Sequence, residues 1–370
     1  MKILHIACGF SYSKVYDKLF KALYEKGSDF EVYAPQHTYT DAFEINSEKY
    51  VYDVISEKVI NKIDKILYFT KIRKMTKSVI SKFDLSGFSL LHAHSLFSDG
   101  AIAYEIFKRF NIPYIVAVRN TDINQYYKKG IHLRPYAYNI LLNAYRVVFI
   151  SESYREKVLT NTLPKKIAQL IQKKSLVIPN GIDEFWFNQK SRSKEINDNV
   201  IKLLFVGRID VNKNLENTVK TSKLLNAKGV KCNLIIVGDG PLKEKLESKY
   251  DFEFVHFKGS VNNKEILKNI YLENDILVVP SYNETFGLVY IEAMSCGTPV
   301  VFSKGQAIEG LFPIDNIGKS VNPNDPKSIA TAIIDIINNY NKMSINCINS
   351  IDQFNWDKIA TKYMTIYKEY

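Results

Sequence analysis

The sequence predicts an α/β protein built from two doubly wound parallel sheets. Three observations support this class. Short apolar runs alternate with helical patterns over residues 1–180, the same alternation restarts near residue 200, and a turn-rich polar stretch separates the two series. A chain of 370 residues is also long enough for two domains that each bury a core.

The first half contains five short, apolar runs that are predicted to be strands. They cover residues 2–7, 30–34, 89–93, 114–118 and 147–150. A helical pattern through Leu19, Leu23 and Tyr24 follows the first run and ends at Gly27. Strands that are joined by helices form a parallel sheet covered on both faces, so this half is expected to be Rossmann-like.

The second half repeats this organisation with five further runs. They cover residues 202–206, 233–237, 253–257, 276–279 and 299–302. Each is short and apolar on both faces, as buried parallel strands are. Ligands of such sheets bind beyond the carboxyl ends of the strands. The residues that directly follow these runs are therefore the candidate functional residues.

A domain boundary is expected near residue 180. Pro179, Asn180 and Gly181 form a turn-rich stretch, and residues 191–199 are polar and charged. This pattern predicts a linker over residues 180–200, with an N-terminal domain over residues 1–180.

The net charge of +11 belongs entirely to the first half. Residues 1–180 hold 27 Lys and Arg against 16 Asp and Glu, and the remaining residues hold 23 of each. Such a surplus indicates an anionic partner. It is densest over residues 62–82, where cations alternate with apolar residues at helical spacing: Lys62, Lys65, Lys71, Arg73, Lys74, Lys77 and Lys82. This segment is either a membrane-surface helix or a solvated basic face on a helix that packs inward.

Several classes of protein are excluded by composition. No stretch approaches the ~20 apolar residues of a membrane-spanning helix, and the N-terminus is predicted to be a strand rather than a signal peptide. The four cysteines are widely scattered, which argues against a zinc site and indicates reduced thiols in a cytosolic protein.

Two glycine-containing loops follow strands of the second half. Gly207 and Arg208 follow the first strand, and Lys213 comes five residues after the arginine, so two cations are available to flank a phosphate pair. The next strand leads into Gly238 and Gly240. This loop lacks the third glycine of a nicotinamide-dinucleotide motif, and we interpret it as a tight strand-to-helix turn.

Two acids lie eight residues apart after the fourth strand of this half. Glu284 falls in a loop with Gly287, and Glu292 falls on a helix that is expected to begin near Leu288. The N-terminus of such a helix offers backbone N–H groups to an anion. Glu292 is placed to accept hydrogen bonds from ribose hydroxyls, and Glu284 to meet a sugar.

These motifs closely resemble those of the family-4 glycosyltransferases, which are retaining enzymes of the GT-B fold. The resemblance is carried by the run E-T-F-G-L-x-x-x-E-A-M-x-C-G-T-P-V, preceded by G-R-x-x-x-x-K and V-G-D-G-P. It implies two Rossmann-like domains that face each other across a cleft, with a donor domain over residues 181–350. Residues 351–370, which include Trp356, would form a closing helix that crosses back onto the N-terminal domain.

The resemblance also implies a role for each residue of the donor site. Arg208 and Lys213 would bind the donor diphosphate and stabilise its developing charge, and Glu284 would face the transferred sugar. Glu292 would bind the ribose, and the remaining donor contacts would come from backbone at Gly259, Phe286, Gly287 and Leu288. No acidic D-x-D motif is placed for a metal, so cations and the helix dipole are expected to replace one. No cofactor is expected.

In the first half the resemblance covers three segments. Gly9 matches a loop glycine of the donor site. His94, at the end of the third predicted strand, is expected at the donor sugar or acceptor as a catalytic residue. Arg119 stands where many members have histidine and, with Asn120 and Asp122, is a candidate for binding an anionic acceptor such as a lipid-linked pyrophosphate.

The resulting hypothesis is a retaining, metal-independent hexosyltransferase that uses a UDP-sugar. It would transfer a hexose or N-acetylhexosamine to a glycan or lipid-linked acceptor in capsule, lipopolysaccharide or other cell-surface polysaccharide synthesis. Its expected location is cytoplasmic and peripheral, at the inner face of the cell membrane. A nucleotide-sugar epimerase of the same fold and a non-enzymatic basic membrane-binding protein are the alternatives. Nucleic acid is not an expected partner, because the sequence has no nucleic-acid-binding motif.

Overall fold

Two units divide the chain of the computed structural model, which describes residues 1–39, 45–187, 194–196 and 199–369. The N-terminal unit comprises Met1–Ile150, Arg155–Gly181 and Trp356–Tyr370, and the C-terminal unit comprises Ser151–Tyr154 and Ile182–Asn355. Two short segments depart from the domain limits expected from sequence. Residues 151–154 group with the C-terminal unit, and the final segment divides after residue 355 rather than after residue 350.

The sheet of the N-terminal unit has seven strands over the described residues. They are β1 (Ile3–Ile6), β2 (Phe30–His37), β3 (Asp53–Ile60), β4 (Leu90–Ala93), β5 (Tyr114–Val118), β6 (Arg146–Phe149) and β7 (Ser175–Val177). Their order is β3-β2-β1-β4-β5-β6-β7, and every neighbouring pair is parallel. β3 and β7 were not expected from the sequence, and both lie at the edges of the sheet.

The helices of this unit lie between its strands in the sequence, except for the last one. They are α1 (Lys14–Glu25), α2 (Tyr68–Lys82), α3 (Asp99–Phe110), α4 (Arg134–Asn143), α5 (Glu152–Asn161) and α6 (Lys165–Gln172), with α13 (Trp356–Lys368) at the C-terminus. Trp356, Tyr363 and Tyr367 of α13 join the core of the N-terminal unit. A Cβ on Gly181 would lie 2.5 Å from the Trp356 ring, so a glycine is needed where the chain passes this helix.

The C-terminal unit has a second, six-stranded parallel sheet over the described residues. Its strands are β8 (Ile201–Val206), β9 (Cys232–Val237), β10 (Val255–Phe257), β11 (Ile276–Val278), β12 (Val300–Ser303) and β13 (Gly318–Val321). Their order is β10-β9-β8-β11-β12-β13. The helices are α7 (Leu215–Ala227), α8 (Lys243–Lys249), α9 (Lys264–Glu273), α10 (Leu288–Ser295), α11 (Pro326–Asn338) and α12 (Tyr340–Ser350).

Both sheets reverse their direction of winding at one place. The reversal lies between β1 and β4 in the N-terminal unit and between β8 and β11 in the C-terminal unit. Loops that leave neighbouring strands at this point diverge and open a crevice, where doubly wound proteins bind their ligands. The loops after β1, β4, β8 and β11 are therefore the ones that position a site in each unit.

The segment predicted to be a linker is partly outside the described residues, at 188–193 and 197–198. Lys194 within it is anchored in the C-terminal unit. Its Nζ donates hydrogen bonds to the Asn274 carbonyl at 2.7 Å and to Thr298 Oγ1 at 2.8 Å. Burial lowers the pKa of this lysine to about 8. A residue of the polar stretch is thus bound to the C-terminal unit.

Candidate functional site

The loop after β8 contains the first predicted cations of the donor site. Gly207 ends the strand, and the loops after β8 and β9 lie so close here that a Cβ on Gly238 would overlap the Gly207 carbonyl. A Cβ on Gly240 would likewise overlap the Ile209 backbone, at 2.8 Å from its carbonyl carbon. The two glycines after β9 thus allow that loop to pack directly against the backbone of the loop after β8.

Lys213 and Glu284, predicted separately from two loops, form an ion pair in the C-terminal unit. Lys213 Nζ lies 2.5 Å from Glu284 Oε2, and the two side chains are only 21% and 15% exposed. The backbone N–H of Lys213 donates to Asp210 Oδ1 at 3.0 Å, which fixes the start of its side chain. These contacts therefore fix the position of the Lys213 side chain at the switch point of the sheet.

Arg208 lies apart from this pair and is largely exposed. Its side chain is 71% accessible, and its Nε is 3.8 Å from Asp210 Oδ2, a distance at which the ion pair is weak. An exposed guanidinium keeps most of its donors available to an anionic ligand. The structure thus supplies one partly buried, fixed cation and one exposed, adjustable cation in the same loop.

Asn212 and Asn214 join the loop after β8 to the loop after β11. Asn212 Nδ2 donates to the Asn283 carbonyl at 3.0 Å, and the Asn283 N–H donates to Asn212 Oδ1 at 3.0 Å. Asn214, in the left-handed region at φ +58°, donates to the Pro280 carbonyl at 3.0 Å. These amides hold the two loops in one arrangement, a role that the sequence motifs did not reveal.

The loop that contains Glu284 ends in a glycine whose conformation starts α10. Gly287 has a φ of +75°, and a Cβ there would lie 2.5 Å from the Tyr290 ring. The Tyr290 hydroxyl donates to the Val279 carbonyl at 2.6 Å, which ties the first turn of α10 to the end of β11. Phe286 is buried, with only 3% exposure, and Leu288 is exposed at the start of the helix. Because the first N–H groups of a helix lack intrahelical partners, α10 offers them to an anion here.

Glu292 lies on α10, one turn beyond the helix N-terminus. Its Oε2 accepts a hydrogen bond from the Tyr271 hydroxyl at 3.2 Å. Burial raises the pKa of this carboxyl to about 6, partly offset by the tyrosine hydrogen bond and by the charge of Lys264. At neutral pH it is therefore mainly ionised and able to accept hydrogen bonds from two hydroxyls.

Gly259 follows β10 in the same sheet. It has a φ of +71°, and its carbonyl accepts a hydrogen bond from the Gly238 N–H at 2.8 Å. The loops after β8, β9 and β10 are consequently in contact through glycines. The structure brings Gly259 next to the same loop cluster, while its predicted contact with the donor base stays a prediction.

A cavity of about 880 Å³ opens at the switch point of the N-terminal unit. Gly9, Arg119 and Asn120, three of the residues predicted in this half, line it. A Cβ on Gly9 would lie 3.0 Å from the Tyr16 ring, so the loop after β1 packs closely on α1. Further lining residues include Lys71, Ser98, Tyr126 and Lys129. Volumes of this order accommodate drug-sized ligands.

Asp122 was predicted to contact the acceptor, and in the structure it joins two loops of the N-terminal unit. Its side chain is buried, and its carboxylate oxygens accept backbone N–H groups from Leu96 at 2.9 Å, Phe97 at 3.0 Å and Arg119 at 2.8 Å. The predicted contact with the acceptor stays a prediction, since these bonds give the carboxylate a structural role. Asp122 instead holds the loops after β4 and β5 together and orients the backbone of Arg119.

His94 was predicted to lie at the donor sugar or acceptor, and this contact stays a prediction. Its ring is fully buried, and its Nε2 lies 3.0 Å from His5 Nδ1. Burial holds the pKa of His94 well below its usual value, and the neighbouring His92 and His5 rings lower it further if they are charged. His94 contributes only its backbone carbonyl, which accepts a hydrogen bond from Arg119 Nε at 3.1 Å.

Three buried histidines, His5, His92 and His94, lie close together in the N-terminal unit. One ring nitrogen from each lies within 4.8 Å of the other two, close enough for the three to be considered as metal ligands. The His92 and His94 rings are stacked, with centroids 4.1 Å apart. An imidazole lone pair lies in the ring plane, so two stacked rings cannot both point at one ion. His92 Nδ1 instead lies 2.7 Å from the Tyr367 hydroxyl. We interpret the cluster as a hydrogen-bonded part of the core.

Both units match models of known families. Residues 13–184 match the model described as Glycosyltransferase Family 4, and residues 187–353 match the model described as Glycosyl transferases group 1. The chain belongs to the family-4 glycosyltransferases.

Two relatives show how far the likeness of this glycosyltransferase extends. An uncharacterized glycosyltransferase of Methanocaldococcus jannaschii is 29% identical over 70% of this chain and 69% of its own length. A GDP-mannose-dependent alpha-(1-6)-phosphatidylinositol dimannoside mannosyltransferase of Mycobacterium tuberculosis is 26% identical over 51% of each chain. The chain thus spans about half the length of that mannosyltransferase.

Solved structures confirm the predicted GT-B fold of the glycosyltransferase. The lipopolysaccharide outer core galactosyltransferase WaaB has a TM-score of 0.75 at 15% identity, over 100% of both chains. HepE of Anabaena, solved in complex with UDP-glucose, has a TM-score of 0.66 at 15% identity, also over 100% of both chains.

Sequence reasoning missed several residues that position the site of this glycosyltransferase. The sequence motifs did not single out Asn212, Asn214 or Gln306, and the Oε1 of Gln306 accepts a hydrogen bond from the Glu284 N–H at 3.1 Å. Lys71 was assigned to a basic surface, whereas it lines the cavity of the N-terminal unit. The sequence signal that could have found these residues is a polar side chain directly after a strand or on the inward face of an amphipathic helix.

Proposed function

We propose that this family-4 glycosyltransferase transfers a hexose or N-acetylhexosamine from a UDP-sugar, with retention of configuration, to a glycan or lipid-linked acceptor. The observation that carries the proposal is the pairing of Lys213 with Glu284 beside the N-terminus of α10, at the switch point of the C-terminal sheet. A fixed cation and backbone donors beside a carboxylate support a diphosphate site that is followed by a sugar site. The UDP complex of HepE supports the choice of nucleotide, and the GDP-mannose-dependent relative makes GDP the alternative to test.

In the proposed reaction the bond between the sugar and the donor diphosphate breaks, and the leaving nucleotide keeps the electron pair. Lys213, Arg208 and the N–H groups of α10 stabilise the negative charge that grows on the diphosphate. The acceptor hydroxyl forms the new bond on the same face of the sugar, and its proton goes to an oxygen of the departing phosphate. In this scheme the chain's own positive charges do the work of a metal ion, and no cofactor is needed.

Glu284 and Glu292 have separate roles in this scheme. Glu292 accepts hydrogen bonds from the ribose, since it is one turn into α10 and mainly ionised at neutral pH. Glu284 meets the transferred sugar and is held in place by Lys213 until the donor binds. Diphosphate binding then draws Lys213 towards the phosphates, so the ion pair is exchanged for contacts with the donor.

Product analysis tests the proposal and separates the two enzyme classes. The purified protein is incubated with UDP-glucose, UDP-galactose, UDP-N-acetylglucosamine or GDP-mannose, with and without a lipid extract from cells. We expect nucleoside diphosphate release and sugar attached to the extract in equal amounts, with one UDP-sugar preferred. Interconversion of free UDP-sugars without the extract would instead establish an epimerase. A preference for GDP-mannose would overturn the choice of nucleotide alone.

We also propose peripheral attachment to an anionic membrane through the start of the 62–82 segment. The structure divides this segment, because Ile72, Met75 and Val79 of α2 are buried in the N-terminal unit. The large apolar residues just before and at the start of α2 are exposed instead: Ile63, Ile66, Leu67 and Phe69. We call these four residues, with the exposed Lys62 and Arg73, the apolar-basic patch. Cations beside exposed apolar side chains suit an anionic lipid surface.

No helix in the described part of the chain is long and apolar enough to cross a bilayer.

Replacing Leu67 and Phe69 together by serine should reduce membrane association at least tenfold. Each buried apolar side chain contributes roughly 1.5–3 kcal/mol to transfer out of water, so even partial insertion of two is readily measured. The measurement is co-sedimentation with vesicles of phosphatidylcholine and phosphatidylglycerol at a ratio of about 7:3, at low and at high salt. Ile314→Ser is the matched control, since Ile314 is an exposed isoleucine of the C-terminal unit. Equal sedimentation of the double variant and the wild type would contradict the proposal.

A further inference from the structure

We propose that the cavity of the N-terminal unit binds a phosphate-bearing lipid acceptor, with its phosphate held by Lys71, Arg119 and Lys129 and its apolar chain leaving across Ile66. This inference rests on the proposed function, because it names the acceptor of that reaction. It assigns the phosphate contact to a lysine of α2.

Lys71 is a cation that the fold buries at the cavity wall. Its side chain comes from the inward face of α2, and the residue is only 9% exposed. Its Nζ donates to Ser98 Oγ at 3.1 Å and lies 6.0 Å from the centre of the Tyr126 ring. Among the described residues, no carboxylate oxygen comes within ion-pair distance of it. Asp64 acts on this ammonium only over a longer distance, so an anion in the cavity would offset part of the free-energy cost of burying it.

The charged residues that line the cavity also favour an anionic ligand. Arg119 and Lys129 line it together with Lys71. The only carboxylate among the described lining residues is Asp64, and both of its oxygens already accept hydrogen bonds from Lys74, at 3.0 and 3.1 Å. The Asn61 N–H also donates to Asp64 at 2.8 Å. The charge of Asp64 is thus balanced by Lys74. The three cations then give the cavity a net positive charge suited to phosphate.

The cavity also has an apolar edge. Ile66 lines it and is 82% exposed, and it belongs to the apolar-basic patch. An acceptor that is only a phosphorylated sugar would use the cations and leave Ile66 in water. A phosphate attached to a hydrocarbon chain would use both, because its chain can pass over Ile66 towards the other apolar residues of the patch. Charge and apolar surface in one continuous cavity therefore favour a lipid phosphate.

Calorimetric titrations of the full-length protein with three probes test the inference. The probes are inorganic pyrophosphate, farnesyl diphosphate and farnesol, all added in the presence of saturating UDP so that the donor diphosphate site is occupied. We expect farnesyl diphosphate to bind at least tenfold more tightly than pyrophosphate, and farnesol to bind weakly. Lys71→Ala should weaken binding of both diphosphates about 10- to 100-fold, the range expected for a lost charge-assisted hydrogen bond.

Two further variants separate the phosphate contact from the apolar contact. Ile66→Ser should weaken farnesyl diphosphate and leave pyrophosphate unchanged. Lys77→Ala, an exposed lysine of the same helix, should leave both unchanged. Lys71→Met keeps the aliphatic stem of the lysine and removes only its charge, so it replaces the alanine variant if that variant folds poorly.

The outcomes that overturn the inference are distinct from those that overturn the proposed function. Equal binding of both diphosphates to the wild type and to Lys71→Met, or binding of neither, would refute the phosphate site. Equal affinity for pyrophosphate and farnesyl diphosphate would refute the lipid chain and leave a soluble phosphorylated acceptor. UDP binding is titrated separately in the same protein, and its absence would contradict the donor site without bearing on the cavity.

Discussion

Replacing Lys213 with alanine should lower kcat/KM for the nucleotide-sugar about 100- to 1000-fold, the loss that follows removal of one preorganised donor to a developing charge. Its ammonium is mostly buried and held at 2.5 Å from Glu284, so no solvent cation can take its place without reorganising the loop. The effect should fall mainly on kcat, because the charge on the diphosphate grows as the sugar bond breaks. Initial rates across a donor concentration series separate kcat from KM.

The matched control is Lys220→Ala on α7. Lys220 is about half exposed and pairs with Glu216 at 3.1 Å, so its loss should leave the rate within twofold of the wild type. Because Lys213→Ala leaves the carboxylate of Glu284 buried without its partner, the thermal midpoint should fall as well. The double variant with Glu284→Gln should regain that midpoint and stay inactive. Wild-type rates in Lys213→Ala would remove this lysine from the reaction.

The loops proposed as the donor half of the site could be located from sequence because their residues follow strands. Gly207, Lys213 and Glu284 each come a few residues after β8 or β11, and the order of parallel strands brings those ends together. Local sequence therefore carries most of the information. What it lacked was the pairing of Lys213 with Glu284, which depends on the loops being joined by Asn212.

The N-terminal half was less predictable because its contacts are remote in sequence. Alternation along β4 correctly gives His92 and His94 a common face, yet other elements decide whether that face is open. Tyr363 and Tyr367 of α13, about 270 residues further along, cover His92. Tyr16 and Phe20 of α1 cover His94. A sequence pattern fixes the direction of a side chain relative to its own element and leaves open what covers it.

Lys71 shows the same limit in the other direction. Helical spacing over 62–82 predicts an amphipathic helix, and the structure has one over Tyr68–Lys82. The spacing left open whether its cations meet a membrane surface or form a solvated face. Lys71 turns inward because Ser98 and Tyr126, from separate elements of the N-terminal unit, supply an acceptor and an aromatic ring. The edge strand β3 was missed for a related reason: its run D-V-I-S-E-K-V-I is too polar to read as a buried strand.

Replacing Gly287 with alanine should destabilise the C-terminal unit by about 3 kcal/mol and remove most of the activity. Two costs add: a non-glycine residue in the left-handed region costs roughly 1–2 kcal/mol, and forcing an extra methyl group into a packed position typically costs about 1–3 kcal/mol. The methyl group would lie 2.5 Å from the Tyr290 ring, so either α10 shifts or the Tyr290 hydroxyl leaves the Val279 carbonyl. Both movements displace the helix N-terminus that belongs to the proposed phosphate site. Urea unfolding and initial rates measure the two effects.

Gly305→Ala separates conformation from contact. Gly305 has a φ of +71°, close to that of Gly287, but nothing lies within 4 Å of a Cβ placed there. This variant should therefore lose only the roughly 1–2 kcal/mol of backbone strain and keep its activity. If both alanine variants lose the same stability, the contact with Tyr290 is not what demands glycine at 287. If Gly287→Ala loses stability but turns over donor at the wild-type rate, the start of α10 is not part of the phosphate site, and the charge on the diphosphate must be met by Lys213 and Arg208 alone.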